Sequence, residues 1–550
     1  MEPIARVKKN PVPVEPAADA PPPAAAGGGA TRLRRYLYFT AAFTGAAILI
    51  VEILGAKMLS PYFGTSHFVW TAQITVTLIS LAAGYYLGGW LADRSPDLRR
   101  MYLAILAAAI YLAISVPLCA PVSFACLKQK LAVGSLLASL FLFFPPLTLL
   151  AVVGPFLVRN FTHNLQTVGG QVGRVSALST LGSVAGTLLI GYAVIPYLPN
   201  SLSMYLTAVG LMVVSLVYFF LLNPRPLRAS AQVSLVAALL TGLGAGYSGI
   251  RQELALNIPG YEELERRNSN FGQMLVIQHT NLPHRVYLND WLTQNTYDPL
   301  EKKSTSMFTW MLHGLARAYT PKIERALCIG LGVGIVPMQL ARDGAQVDVV
   351  EINPEMPGLA QRHFDFDPTR ARVFIDDGRH FLNAAARPDG PRYDTIILDA
   401  FLGDSSPSHL MSREAFVAMQ KILRPGGTVV INSFGELDPA RNFFTASLEC
   451  TLQAVFKSVR IHTAFGGNVL LVASDIPDLA FVRQPDLSEV HPRALGATRL
   501  AMENVVTAPP SKHRIRVLTD DFNPVEFYDA VNREMFRRNM VQGMMQGYGY

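Results

Sequence analysis

The sequence predicts an α-helical membrane domain, then a small β-domain, then a doubly wound α/β domain. Three observations predict this. Half of the 550 residues are hydrophobic and only 16% are charged, too apolar for an ordinary soluble protein, and the apolar excess lies before about residue 250. From about residue 322 strand-like and helix-like runs alternate, which implies a parallel sheet covered on both faces. Within that region the runs Ala326 to Gly334 and Val347 to Glu351 read as a buried strand, a glycine-rich turn, a helix and a second strand ending in an acid.

The length suggests more than one domain. Residues 1–31 are rich in Pro, Ala and Gly and carry Arg6, Lys8 and Lys9. Such a segment cannot bury a core, so a disordered tail is expected. No apolar run follows the early basic residues, so it does not read as a signal peptide. Residues 32–250 form the expected multi-span domain. Apolar runs of spanning length lie at about 36–59, 69–91, 101–121, 132–158, 172–196, 203–222 and 232–250. The fourth contains Pro145-Pro146, where a kink or a broken helix is expected.

Arginines cluster at alternate ends of these runs: Arg32, Arg34 and Arg35, then Arg94, Arg99 and Arg100, then Arg159, then Arg225 and Arg228. The intervening loops hold little charge beyond Lys128 and Lys130. By the positive-inside rule the amino terminus is cytoplasmic. Seven spans would leave the C-terminal half outside, where adenosine-type cofactors are scarce. Either the last, glycine-rich run does not cross or the count of runs differs from the count of spans; the expectation here is a cytoplasmic catalytic half. The formal net charge of +7 is modest, basic membrane-facing loops explain it, and no nucleic-acid-binding motif is present.

Two polar features stand out in the spans. Glu52 and Lys57 share the first; an intramembrane carboxylate is a functional candidate, and a structural pair with Lys57 is the other reading. Gly84 and Gly88 have the spacing that lets helices pack closely. The following Leu91-Ala92-Asp93-Arg94 resembles a loop signature of major-facilitator transporters, although seven spans are too few for that fold. Of four cysteines, Cys119 and Cys126 flank a predicted outside loop, where a disulfide and two free thiols are both open readings. Cys328 and Cys450 read as packing residues. No cysteine spacing suggests a metal site.

Residues 251–320 carry the small β-domain, with strands over Phe271 to Ile277 and Arg285 to Asn289. Residues 321–550 carry the α/β domain. Gly330, Gly332 and Gly334 follow its first strand, where glycine lets the backbone approach a ligand. Glu351 ends the second strand and can grip two ribose hydroxyls. Asp376-Asp377-Gly378 follows the third strand, where a carboxylate can accept from an adenine amine. The fourth strand, Tyr393 to Leu398, runs into Asp399. Each acid alone also reads as a helix cap or a solvated turn. Four such strand ends in order are far more specific. Leu423-Arg424-Pro425-Gly426-Gly427 is a structural turn before the strand Thr428 to Asn432.

On these residues the chain from about 268 to 530 resembles the spermidine synthase family, which lies among the class I S-adenosylmethionine-dependent transferases with a Rossmann-like fold. The whole chain is similar to the membrane-fused bacterial members. Phe43-Thr44-Gly45 through Glu52, Asp399-Ala400-Phe401 through Leu410, and Leu518 through Glu526 match their segments. The resemblance implies that Glu351 holds ribose and Asp377, next to Gly378, holds adenine. It implies that Asp399 orients or deprotonates the attacking amine and that Gln294 faces the nucleoside. Val333 stands where the family carries an Asp that binds the aminopropyl amine of decarboxylated S-adenosylmethionine. The family's second acid would fall at Leu402, with Asp404 as the substitute; Asp520 and Asp521 are further acceptor-side candidates. The polyamine-facing Tyr and Glu are missing around Ser306 to Trp310.

The expected activity is therefore a membrane-bound transferase. It uses S-adenosylmethionine or its decarboxylated form, moves an aminopropyl-type group to an amine and releases methylthioadenosine. The acceptor is a small amine or a lipid headgroup. The expected surroundings are the bilayer of a bacterial plasma membrane, with no metal, no nucleic acid and a homodimer as one open arrangement. A lyase releasing a lactone, a methyltransferase and a nucleoside-sensing transporter remain alternatives.

Overall fold

The computed structural model describes residues 28–64, 67–162, 165–223, 228–254, 260–401, 407–464 and 467–528, with Asn532 and Met535. Eight helices come first: α1 (Gly28–Phe63), α2 (His67–Arg94), α3 (Leu98–Cys126), α4 (Leu131–Ala151), α5 (Val153–Phe161), α6 (Val168–Leu188), α7 (Asn200–Val217) and α8 (Ala229–Leu254). With α4 and α5 counted together as Leu131–Phe161, seven are long and apolar enough to cross a membrane. The last, glycine-rich helix is among them.

Small residues set the closest approaches. A Cβ on Gly182 or Gly186 of α6 would run into Ala42 or Ala46 of α1, and one on Gly84 or Gly88 of α2 would meet Thr148, Ala151 or Val152 beside it. The Gly84–Gly88 spacing is therefore a packing surface, as its sequence suggests.

At Pro145-Pro146 the helix is not broken. Helix α4 runs through both prolines and stops only at Ala151. Pro145 has no N–H for the Phe141 carbonyl, and the Tyr111 hydroxyl donates to that carbonyl at 2.6 Å instead. A disulfide between Cys119 and Cys126 is also excluded. Both lie in α3, seven residues and about 10 Å of helix rise apart, beyond the span of a disulfide. Neither thiol is in a disulfide, and the Cys119 thiol donates to the Met58 carbonyl at 3.5 Å.

An antiparallel sheet follows, ordered β1 (Tyr261–Ser269), β2 (Gly272–His279), β3 (Arg285–Asn289), β4 (Leu292–Asp298), β5 (Lys303–Ser304). The Asp290-Trp291 turn between β3 and β4 has both residues at positive φ, the geometry of a tight hairpin. Helix α9 (Met307–Tyr319) leads into the larger domain. There come β6 (Arg325–Ile329), α10 (Ile335–Arg342), β7 (Gln346–Glu351), α11 (Met356–His363), β8 (Ala371–Ile375), α12 (Gly378–Ala385) and β9 (Tyr393–Leu398). After these come α13 (Arg413–Ile422), β10 (Leu423–Phe434), α14 (Phe443–Gln453), β11 (Ser458–Thr463), β12 (Asn468–Ser474), α15 (Pro492–Glu503), β13 (Val505–Val506) and α16 (Val525–Tyr528).

The eight-stranded sheet has the order β13-β11-β12-β10-β9-β6-β7-β8. The five strands from β10 to β8 are parallel, and β12, β11 and β13 continue antiparallel. Alternate residues of β6 feed the two cores: Ala326 and Cys328 one face, Leu327 and Ile329 the other. The chain winds from β6 to β7 and β8, then returns to β9 on the other side. That reversal opens a crevice at the carboxyl ends of β6 and β9, where ligands of such sheets bind.

Candidate active site

The glycine turn builds the floor. Gly330, Gly332 and Gly334 all have positive φ, at 97°, 53° and 84°. At Gly330 the reason is contact as well as conformation: a Cβ would run into the Asp399 carbonyl. The chain thus brings the ends of β6 and β9 together, and the Asp399 N–H donates to the Ile329 carbonyl at 3.0 Å. Gly330 and Gly332 line the crevice, whereas Gly334 caps α10 and packs on Phe366.

Glu351 is buried at the end of β7. Its carboxylate accepts from the Leu331 N–H of the glycine turn at 2.9 Å and from the Asn353 N–H at 2.8 Å. Burial raises its pKa above the ordinary carboxylate value, and those N–H groups oppose the rise. Asp377 caps α12, accepting from the N–H groups of Arg379 and His380, and its other oxygen meets His409 Nε2 at 3.0 Å. Burial works against its charge, but the His380 N–H and His409 outweigh it and hold the group below the usual range. Asp376 beside it pairs with His380 Nδ1 at 2.8 Å.

Asp399 accepts from Asn432 Nδ2 at 2.9 Å, and the Asn432 carbonyl accepts from Asn468 Nδ2 at 2.9 Å. Burial pushes the Asp399 carboxyl up to about 6, against the pull of Asn432. A carboxylate tuned there is ionised at neutral pH yet able to take a proton.

These groups open on one cavity of about 720 Å³, which also takes in Gln294, Gly378 and Phe308. Its wall is not confined to the α/β domain. Ala56, Lys57 and Ser60 from the end of α1, and Val69 and Trp70 from the start of α2, line the same space. Sequence reasoning missed this, because nothing local links a span end to a strand end 300 residues away. It also missed Asn432 and Asn468. Asn432 carries the same signal as the acids, a polar residue closing a parallel strand.

Other expectations change. Asp520 lies outside the cavity lining. It is a latch: Arg379 forks onto its carboxylate at 2.7 and 3.1 Å, and the Ser412 hydroxyl donates at 2.6 Å. Asp521 is exposed and also outside the lining. Asp404 and Leu402 lie outside the described residues. Glu52 does not line the cavity, and among the described residues it forms no ion pair with Lys57, so the structural-pair reading fails. Asp298, Glu301 and His491 are grouped closely enough to hold a cation, but away from the cavity lining. Asp298 is taken by the N–H groups of Leu300 and Glu301, and His491 Nδ1 by the Arg493 N–H.

Residues 306–464 match the family described as the spermine/spermidine synthase domain. The chain is 32% identical over 243 residues to the polyamine aminopropyltransferase of Vibrio vulnificus, covering 41% of this chain and 77% of that protein. It is 22% identical over 425 residues to polyamine aminopropyltransferase 2 of Aquifex aeolicus, covering 75% of this chain and 82% of that one. That alignment is too long to fit within the C-terminal half, so it reaches into the helical region. Spermidine synthase from Thermotoga maritima is a structural neighbour with a TM-score of 0.34 at 20% identity, covering 39% of this chain and 74% of that one.

Proposed function

We propose, from the premise that this chain belongs to the spermidine synthase family of polyamine aminopropyltransferases, that it is a membrane-embedded transferase drawing on a sulfonium nucleoside. The observation carrying this reading is Asp399, held by Asn432 on one wall of a cavity whose other wall is the glycine turn and Glu351. Adenosine would lie along the ends of β6, β7 and β8, with ribose at Glu351 and adenine at Asp377 and Gly378. Gln294 would face it. The reacting arm then points towards β9.

The chemistry asks little of the protein. A sulfonium is already a good leaving group, so alignment and a neutral nucleophile supply most of the catalysis. Asp399 would attract an ammonium, orient it and take its proton as nitrogen attacks the carbon bound to sulfur. Methylthioadenosine leaves. The cavity carries Glu351, Asp376, Asp377 and Asp399, and this excess of carboxylates suits a cationic donor and an amine acceptor.

The seven apolar helices support a multi-pass protein of a bacterial plasma membrane. Helix parity supports a side other than the cytoplasmic one expected from cofactor supply. The cavity is lined by the α1–α2 turn, and α8 enters the β-domain at that same face. Arg94, Arg99, Arg100, Arg159 and Arg228 lie at the opposite ends of the helices, which the positive-inside rule makes cytoplasmic. A cysteine at exposed Asn281, in a background without native cysteines, tests this. Labelling by an impermeant maleimide in intact spheroplasts is the expected result; labelling only after lysis restores the cytoplasmic placement.

The test of activity is mass spectrometry of detergent-purified protein given each sulfonium donor, with diamines or lipid extract. Methylthioadenosine and a new amine are expected. A lactone would make it a lyase, S-adenosylhomocysteine a methyltransferase, and intact donor despite binding a sensor or transporter.

A further inference from the structure

Lys57 is a cation in the wall of the candidate active site. It lies near the end of α1, half-buried, and lines the cavity that holds Glu351 and Asp399. Among the described residues it forms no ion pair. The carboxylates of that cavity each accept from other groups of the chain. Glu351 binds the Leu331 and Asn353 N–H groups, and Asp376 binds His380. Asp377 binds the start of α12 and His409, and Asp399 binds Asn432. The glycine turn offers no acid either; its Val333 is buried and apolar. A half-buried ammonium favours an opposite charge beside it, and the carboxylate of a bound ligand would supply one.

We infer that Lys57 binds the α-carboxylate of intact S-adenosylmethionine, so that the transferred arm is a 3-amino-3-carboxypropyl group. The inference rests on the nucleoside reading above and deepens it by choosing between its two donors. A decarboxylated donor ends its arm in an ammonium alone, which would meet Lys57 as like charge. An amino-acid arm brings its own carboxylate. The first membrane span is then a specificity element of the enzyme, which gives a physical reason for fusing the two regions.

The step balances without a further reactant. The acceptor nitrogen uses its lone pair to form a bond to the arm carbon attached to sulfur. The carbon–sulfur bond breaks, and its electron pair stays on sulfur, giving the neutral thioether of methylthioadenosine. The new ammonium loses its proton to Asp399 and then to solvent.

Calorimetry on the full-length protein in detergent tests this with three probes: methylthioadenosine, S-adenosylmethionine and decarboxylated S-adenosylmethionine. The wild type should prefer the intact donor. Lys57→Gln should weaken intact-donor binding by about 10- to 100-fold, the range of a charged hydrogen bond. It should leave methylthioadenosine affinity unchanged, and Lys57→Arg should keep most of the preference. Unchanged intact-donor affinity in Lys57→Gln, or an equal loss for methylthioadenosine, overturns the assignment while leaving the nucleoside pocket standing. Failure of the wild type to bind methylthioadenosine overturns the pocket and this inference together. A Lys57→Gln effect seen only when acidic phospholipid is added would assign the cation to a headgroup phosphate and overturn the donor assignment.

Discussion

Several buried hydroxyls of the helical region and a buried acid of the α/β domain find their partners over different distances. In the apolar helices several hydroxyls bond within their own helix, Thr44 to the Thr40 carbonyl, Ser80 to Val76 and Ser203 to Pro199, while Thr40 bonds to the Tyr36 carbonyl and also meets the Tyr102 hydroxyl of α3 at 2.9 Å. In the α/β domain, buried Asp348 on β7 collects Arg325 from β6, Arg372 from β8 and the Tyr393 hydroxyl from β9, at 2.8 to 3.0 Å. A spanning helix must settle its polar groups without water, and the nearest carbonyl is one turn back. A parallel sheet instead gathers strand ends from distant sequence into one place. The same gathering that pairs Asp348 also pairs Asp399 with Asn432. Structure and site in this domain therefore share one device, whereas, among the described residues, the helical region contributes to the site where the ends of α1 and α2 meet it.

Substitutions test that contrast. The largest effect is expected from Asp399→Asn, which keeps the shape but removes the base. Turnover should fall by roughly 10²- to 10⁴-fold with donor affinity little changed, read from methylthioadenosine release and calorimetry. An undiminished rate would take Asp399 out of the chemistry.

Asp348→Ala should cost about 2–3 kcal/mol, because it strands Arg325 and the Tyr393 hydroxyl. Denaturant melts of the purified protein measure this, and methylthioadenosine affinity should survive at low denaturant. Loss of binding with no loss of stability would mean that the network serves the site instead.

A smaller effect concerns pH. If Asp399 acts as its carboxylate, kcat/KM should rise through pH about 6 and level off above it. Asn432 favours the charged form, so Asn432→Ala should move the inflection to higher pH and lower the rate near pH 6. A profile that stays in place would show that Asn432 does not tune the base.

The smallest effect belongs to the apolar helices. Ser80 is buried but bonds only to its own helix, so Ser80→Ala should change stability by about 0.6 kcal/mol, visible as a minor shift in Tm. A large loss would reveal a partner across helices and blur the contrast.

The residues legible in the sequence were those whose meaning is local. Gly330 and Glu351 could be read because the turn and the strand end lie within one βαβ unit, and Asp399 because it closes a buried apolar strand. Asp520 misled for the opposite reason. Its acidic motif says nothing of Arg379, which lies 141 residues away and turns the carboxylate into a latch. Cys119 misled because a predicted loop was in fact the last turns of α3.

What the amino-acid sequence determined by itself was the seven long apolar helices, the glycine turn and the acids at the parallel strand ends. Each follows from hydrophobic transfer or backbone preference, which act within a few residues. Only the tertiary structure decided that Lys57 enters the cavity, that Asn432 and Asn468 hold Asp399, and which face of the helices the catalytic domain adjoins. Those outcomes depend on how whole elements pack, and a charge finds its partner through space, not along the chain.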